Sequence, residues 1–138
     1  MSRFFLSFGV VLLTMLALEV VWFSVVVEKL YRPELGALLR AEIRVLPAVA
    51  FYLLYPACVV VLAVRPLDTP IDALHSFGRG AMLGLAAYGA YELTNLATLV
   101  GWSGLVATVD MAWGAILTSV AATTATIVTQ RFFANSRT

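Results

Sequence analysis

Charge is scarce in this chain. Only 12% of its 138 residues are Asp, Glu, Lys or Arg, while 62% are hydrophobic and the mean hydropathy is +0.94. A soluble domain carries about twice that charged fraction, so a water-soluble globule is excluded. There is one cysteine, Cys58, and therefore no intramolecular disulfide; within an apolar run it reads as a small core hydrophobe. There is one histidine, His75, read as a solvated loop residue. His-Glu-x-x-His, Gly-x-Ser-x-Gly, a Cys–His pair and an Asp-rich motif are all missing, which removes the common zinc-hydrolase and nucleophile-elbow chemistries. With a net charge of +1 and no basic block, nucleic acid is not expected as a partner. No cofactor and no metal are expected.

What the chain has instead is four apolar runs, at residues 4–27, 45–64, 78–100 and 105–128. Each is near the roughly 20 residues that a ~30 Å hydrocarbon core requires. The expected fold is all-α: a polytopic membrane protein with four transmembrane helices in one domain, embedded in a lipid bilayer. The first run follows Arg3 as a signal peptide would. It is too long for one, ends in Val25-Val26-Val27-Glu28-Lys29 and lacks a small-x-small cleavage site, so it reads as a retained span.

The Lys/Arg distribution sets orientation. Arg3, Arg65, Arg79, Arg131 and Arg137 fall on one face and Lys29, Arg32, Arg40 and Arg44 on the other, a margin that favours both termini inside. In the first loop, Leu35, Leu38 and Leu39 recur at helical spacing after Pro33, the pattern of a short amphipathic helix lying in the interface. In the second loop, Asp68 or Thr69 is placed to cap the next helix. The third loop, Gly101-Trp102-Ser103-Gly104, is short enough to force the third and fourth helices together. Gly80 and Gly84 form a G-x-x-x-G face, suited first to packing within the bundle and second to a homodimer.

Three of the eight acids, Glu19, Glu92 and Asp110, lie inside the apolar runs. A carboxylate there costs a few kcal/mol on insertion scales, so it usually has a partner and a purpose. Helical rise of ~1.5 Å per residue puts Glu19 and Glu92 ~22 and ~21 Å from the N-terminal face, and Asp110 ~8 Å below the opposite one. In a ~30 Å core the three share a layer towards the first and third loops. Tyr52, Tyr55, Tyr88, Tyr91 and Asn95 fall nearby and supply hydroxyls and an amide that such acids accept from, with the cluster itself drawn from Glu19, Tyr52 or Tyr55, Glu92, Asn95 and Asp110. Glu19-x-x-Trp22 echoes Asp110-x-x-Trp113, placing acid and indole on one helix face. With antiparallel spans, the two Trp residues are expected on opposite sides of the acid layer, as packing aromatics that line the site. Trp102, at a span end, reads as an interfacial anchor. Thr118, Thr123, Thr124, Thr126 and Thr129 are expected to bond back to their own helix carbonyls.

The segments Leu18-Glu-Val-Val-Trp22, Phe51-Tyr-Leu-Leu-Tyr55, Tyr91-Glu-Leu-Thr-Asn-Leu-Ala-Thr98 and Asp110-Met-Ala-Trp-Gly114 resemble the bacterial membrane proteins of domain-of-unknown-function family 2177. The likeness takes in all four runs in order. It implies a multi-pass protein of the bacterial cytoplasmic (inner) membrane and carries no biochemical role. Members of the family often have Asp where this chain has Glu19 and Glu92, so the carboxylate is kept with one methylene more reach.

Three functional readings follow. In the first, the acids bind or transport a small solute or ion, coupled to protons. In the second, a membrane-embedded enzyme acts on a lipid-like substrate; a metal, were one held, would take Glu19, Glu92 and Asp110 as oxygen ligands. In the third, the acids hydrogen-bond Tyr and Asn to hold together a structural subunit or scaffold. Three acids in one layer favour the first.

Overall fold

The first and last apolar runs fold into helices longer than a ~30 Å hydrocarbon core requires. The computed structural model describes residues 2–64 and 72–135, and no strand occurs among them. The elements are α1 (Ser2–Val26), a π-turn (Val27–Tyr31), α2 (Arg32–Leu35), a 3₁₀ turn (Gly36–Leu38), α3 (Val45–Val59), a second π-turn (Val60–Val64), α4 (Ala73–Thr98) and α5 (Gly104–Asn135). Among the described residues, three stretches are long and apolar enough to cross a membrane: Arg3–Leu38, Val45–Val64 and Gly104–Asn135. α4 is as long as α1, but its glycines, together with His75, Arg79, Glu92 and Asn95, dilute its hydropathy.

The short first-loop helix is present, with Pro33 in its first turn, but it is not separate. α1 runs into α2 through the π-turn, making one 36-residue stretch. Leu35 is buried, while Leu38 and Leu39 are exposed. Asp68 and Thr69, the expected caps of the third span, lie outside the described residues, as do Arg65 and Arg137. α4 is capped by Asp72, whose Oδ1 accepts from the His75 backbone N–H at 2.8 Å and pairs with His75 Nδ1 at 2.9 Å. His75 is thus an exposed residue of the first helical turn. Those hydrogen bonds, the backbone one first, hold the Asp72 carboxyl below its ordinary value.

α5 is the hub. Its small-residue face packs with Val11 and Met15 of α1 and with Val59, Val60 and Ala63 from α3 and its π-turn; Leu117, Ala121, Ala122 and Ala125 are its own contribution. Three hydroxyl pairs tie it to the other helices: Thr129 with Ser7 of α1 at 2.9 Å, Thr126 with Ser76 of α4 at 2.7 Å, and Thr118 with Tyr55 of α3 at 2.8 Å. Thr118, Thr126 and Thr129 therefore bond across helices. Thr126 also bonds back to Ala122 O, and Thr123 bonds back to Ser119 O, as expected of a threonine without a polar neighbour. Interhelical bonds of this kind average about 0.6 kcal/mol.

α4 and α5 are antiparallel neighbours, joined by a turn that needs Gly101 at φ +82°. Gly84 lies against the Gly114 carbonyl, and Gly80 against Ser119 Cα and the Thr118 carbonyl. A Cβ on Gly80 would stand 2.8 Å from both atoms. The G-x-x-x-G face is thus filled by α5 of the same chain. Of the two readings of that face, packing within the bundle is the one these contacts match.

Candidate functional site: two buried acid centres divided by an indole pair

The crossing of α1 with α5 decides where the acids stand. Ser7 meets Thr129 near one end, and Trp22 stacks on Trp113 further along, with ring centroids 4.2 Å apart and planes within 5°. Glu19 precedes Trp22 by one helical turn and Asp110 precedes Trp113 by one turn. Since the helices are antiparallel, the two acids lie on opposite sides of the indole pair, about 9 Å apart along the axis by helical rise. This corrects the expectation of one acid layer flanked by the Trp residues: the indoles share a layer and the acids flank it. The error is a register slip of about six residues, nearly two turns. α5 runs to Asn135, beyond the hydrocarbon length used to estimate depth, and the aromatic stack sets the register instead.

The outer centre is built on Glu92 and Asp110, which stand within electrostatic reach of each other. Glu92 is 1% exposed. Its Oε2 accepts from Trp102 Nε1–H at 2.7 Å, so Trp102 is a partner of the acid beyond the interfacial anchor expected of it. Asp110 Oδ1 accepts from the Tyr31 hydroxyl at 2.5 Å, which itself accepts from Trp22 Nε1–H at 3.0 Å. Tyr31 stands nine residues after Trp22, about 180° round a regular α-helix. The π-turn holds one extra residue and brings it back to about 80°, within reach of the acid's side of the bundle. At the same end, Ser103 caps α5 through Val106 N–H at 3.3 Å and donates its hydroxyl to Glu34 Oε2 at 2.5 Å, tying α2 to the third loop.

The inner centre is Glu19, 4% exposed. Oε1 accepts from the Tyr88 hydroxyl at 3.2 Å. Tyr88 comes from α4 and reaches α1 by crossing α5 at Gly114, where any side chain would overlap its ring. Oε2 has no hydrogen-bond partner among the described residues, and neither does Trp113 Nε1. Tyr52, partly buried on α3, lies within electrostatic reach of Glu19.

The remaining expected site residues are placed elsewhere. Tyr55 is buried on Thr118 and stacks on Phe51 at 5.1 Å. Tyr91 is 58% exposed and its ring meets Trp102 edge-on at 5.7 Å, while Asn95 is half-buried on α4. Glu19 is separated from the Glu92–Asp110 pair, and no group of three or more His, Cys, Asp or Glu able to hold a metal gathers among the described residues. The three acids thus do not make one ligand set. Sequence reasoning missed Tyr31, which it assigned to a loop, and left Tyr88 out of the site. The signal for Tyr88 was Gly114, a glycine within a helix one residue after a tryptophan, where a neighbouring ring needs space.

No curated protein and no solved structure matches this chain. The family described as a predicted membrane protein (DUF2177) matches residues 4–127, which is nearly the whole chain, and the protein belongs to that family.

Proposed function

We propose that this protein binds or carries a small solute or ion in a proton-linked manner, using the intramembrane carboxyls as its working groups. One observation carries the reading. Buried Glu92 and half-buried Asp110 stand within electrostatic reach of each other, and two carboxyls that close in a low-dielectric interior disfavour double ionisation, so in this reading the pair holds one proton between them. A buried proton shared by two acids is a device for exchange, since one incoming cation or one charge change at the pair releases it. Packing does not need it. α5 is already tied to each of the other three helices by hydroxyl pairs, and to α4 by a glycine crossing.

In this reading the chain crosses the bacterial cytoplasmic membrane four times, α4 included, with both termini inside. Shielded by α5, the glycine-diluted α4 crosses as part of the bundle. The pair then lies towards the outer face, below the first and third loops. Its partners are the bilayer, the solute and protons.

The test uses proteoliposomes with a trapped pH dye, challenged with a panel of small metabolites. Solute addition is expected to move internal pH, and Glu92→Gln to abolish the response while leaving thermal stability near wild type. A large stability loss in Glu92→Gln, with no solute-linked pH change in the wild type, would instead support a structural role. Stoichiometric divalent metal in the purified protein would support the enzyme reading.

A further inference from the structure

Glu19 is not used by the paired-carboxyl site, and its surroundings point to a ligand. It is almost wholly buried, one of its oxygens has no partner, and no ion pair among the described residues reaches it. A buried carboxyl oxygen left unpaired in a low-dielectric interior is destabilising, and a native structure keeps such a group for a reason. Around it stand aromatic groups. Tyr88 donates to Oε1, Tyr52 is within electrostatic reach, Trp22 lies one turn along α1, and Trp113 is stacked on Trp22. An acid set among aromatic side chains suits ammonium ions, because the carboxylate supplies the charge and ring quadrupoles attract the alkylated surface. A strongly hydrated metal ion is disfavoured, since few oxygen donors are at hand to replace its water.

There is also a side from which a ligand can enter. α3 is buried against the bundle only from Tyr55 onwards, at Tyr55, Pro56 and Val59. Its first half leaves the core, with Val45, Leu46, Val49, Leu53 and Leu54 exposed. Tyr52 stands at the point where α3 departs, beside Glu19. An amphiphilic cation arriving from the lipid phase meets the acid there.

We propose that Glu19 anchors a small alkyl- or arylammonium ion, its charge on Oε2 and its apolar groups among Trp22, Trp113, Tyr52 and Tyr88. This rests on the reading that the intramembrane acids form a solute site, and it names the solute class. Cation and proton compete for Glu19, while the Glu92–Asp110 pair on the other side of the indoles responds to proton loading.

The test measures saturable binding of radiolabelled benzyltrimethylammonium to purified protein in nanodiscs, with neopentylbenzene as the neutral isostere. Wild type is expected to bind the cation, to bind it more weakly as pH falls, and to be insensitive to neopentylbenzene. Glu19→Gln is expected to weaken binding by about tenfold or more, the loss of one charge-assisted contact. Ser7→Ala, at the far end of α1 and outside both acid centres, is expected to retain it. Should Glu19→Gln fail to fold, the pH dependence in wild type and displacement by the isostere still decide. Absent saturable binding, binding unchanged by Glu19→Gln, or equal displacement by neopentylbenzene overturns the proposal. Absent cation binding alongside an intact Glu92-dependent pH response would sink this inference and leave the proton-linked reading standing.

Discussion

Replacing Gly84 with alanine tests whether the glycine crossing positions the inner acid centre. The added Cβ would stand 2.6 Å from the Gly114 carbonyl carbon and 2.7 Å from Thr118 Oγ1, where ordinary contact begins at 3.4 Å. The Gly114 carbonyl oxygen is nearer still and is backbone, so relief requires α4 and α5 to part by more than 0.8 Å at the crossing. Overpacking of this kind costs about 1–3 kcal/mol. Alanine returns up to about 1 kcal/mol through helix propensity, which a control can cancel: Gly78 has nothing within 4 Å of an added Cβ. Gly84→Ala should therefore be less stable than Gly78→Ala by about 1–3 kcal/mol in reversible unfolding by SDS titration in mixed micelles. The separation also carries Tyr88, one turn along α4, away from Glu19. Its 3.2 Å bond is already near the upper limit, so parting the helices breaks it. Equal stability of the two variants would refute the reasoning about the crossing.

Other perturbations report on other parts of the molecule. Gly114→Ala should displace the Tyr88 ring, change its ultraviolet resonance Raman signature and weaken any binding that depends on Glu19; an unchanged tyrosine environment would contradict the crossing geometry. Ser7→Ala should cost only about 0.6 kcal/mol, because Thr129 can turn its hydroxyl back to its own helix, and SDS titration reads this directly. The Asp72 carboxyl, held down by the His75 backbone N–H and side chain, should titrate below the ordinary aspartate range in NMR. Because its folded value is the depressed one, its contribution to the start of α4 is present above the unfolded aspartate value and is lost as pH falls through the lower folded value. A midpoint at or above the ordinary range would contradict the cap.

The helices were legible because their signal is repeated over twenty or more residues. The 45–64 run matches α3 with its π-turn, and the short Gly101–Gly104 link does bring α4 and α5 together. The G-x-x-x-G face was also readable as packing, since only backbone contact requires both glycines. What failed was register. Depth counted from the ends of a run assumes helices as long as the hydrocarbon, and α1 and α5 both run past it. A slip of about six residues, ~9 Å, moved Trp22 from opposite Ala107 to opposite Trp113. Tyr31 was hidden for a related reason: a π-turn leaves no clear mark in hydropathy, yet it turns the residues beyond it by about 100°. The pairing of Glu92 with Asp110 survives this error because α4 and α5 are joined directly.

The central claim is that Glu92 and Asp110 hold one proton between them. Infrared spectroscopy of the protein in nanodiscs at neutral pH reads it through the carbonyl stretch of a protonated carboxyl group. Wild type should show such a band, sensitive to deuterium exchange, and Glu92→Gln and Asp110→Asn should each remove or shift it. A wild-type spectrum with carboxylate bands alone, or a protonated-carboxyl band unmoved by either substitution, would contradict the account.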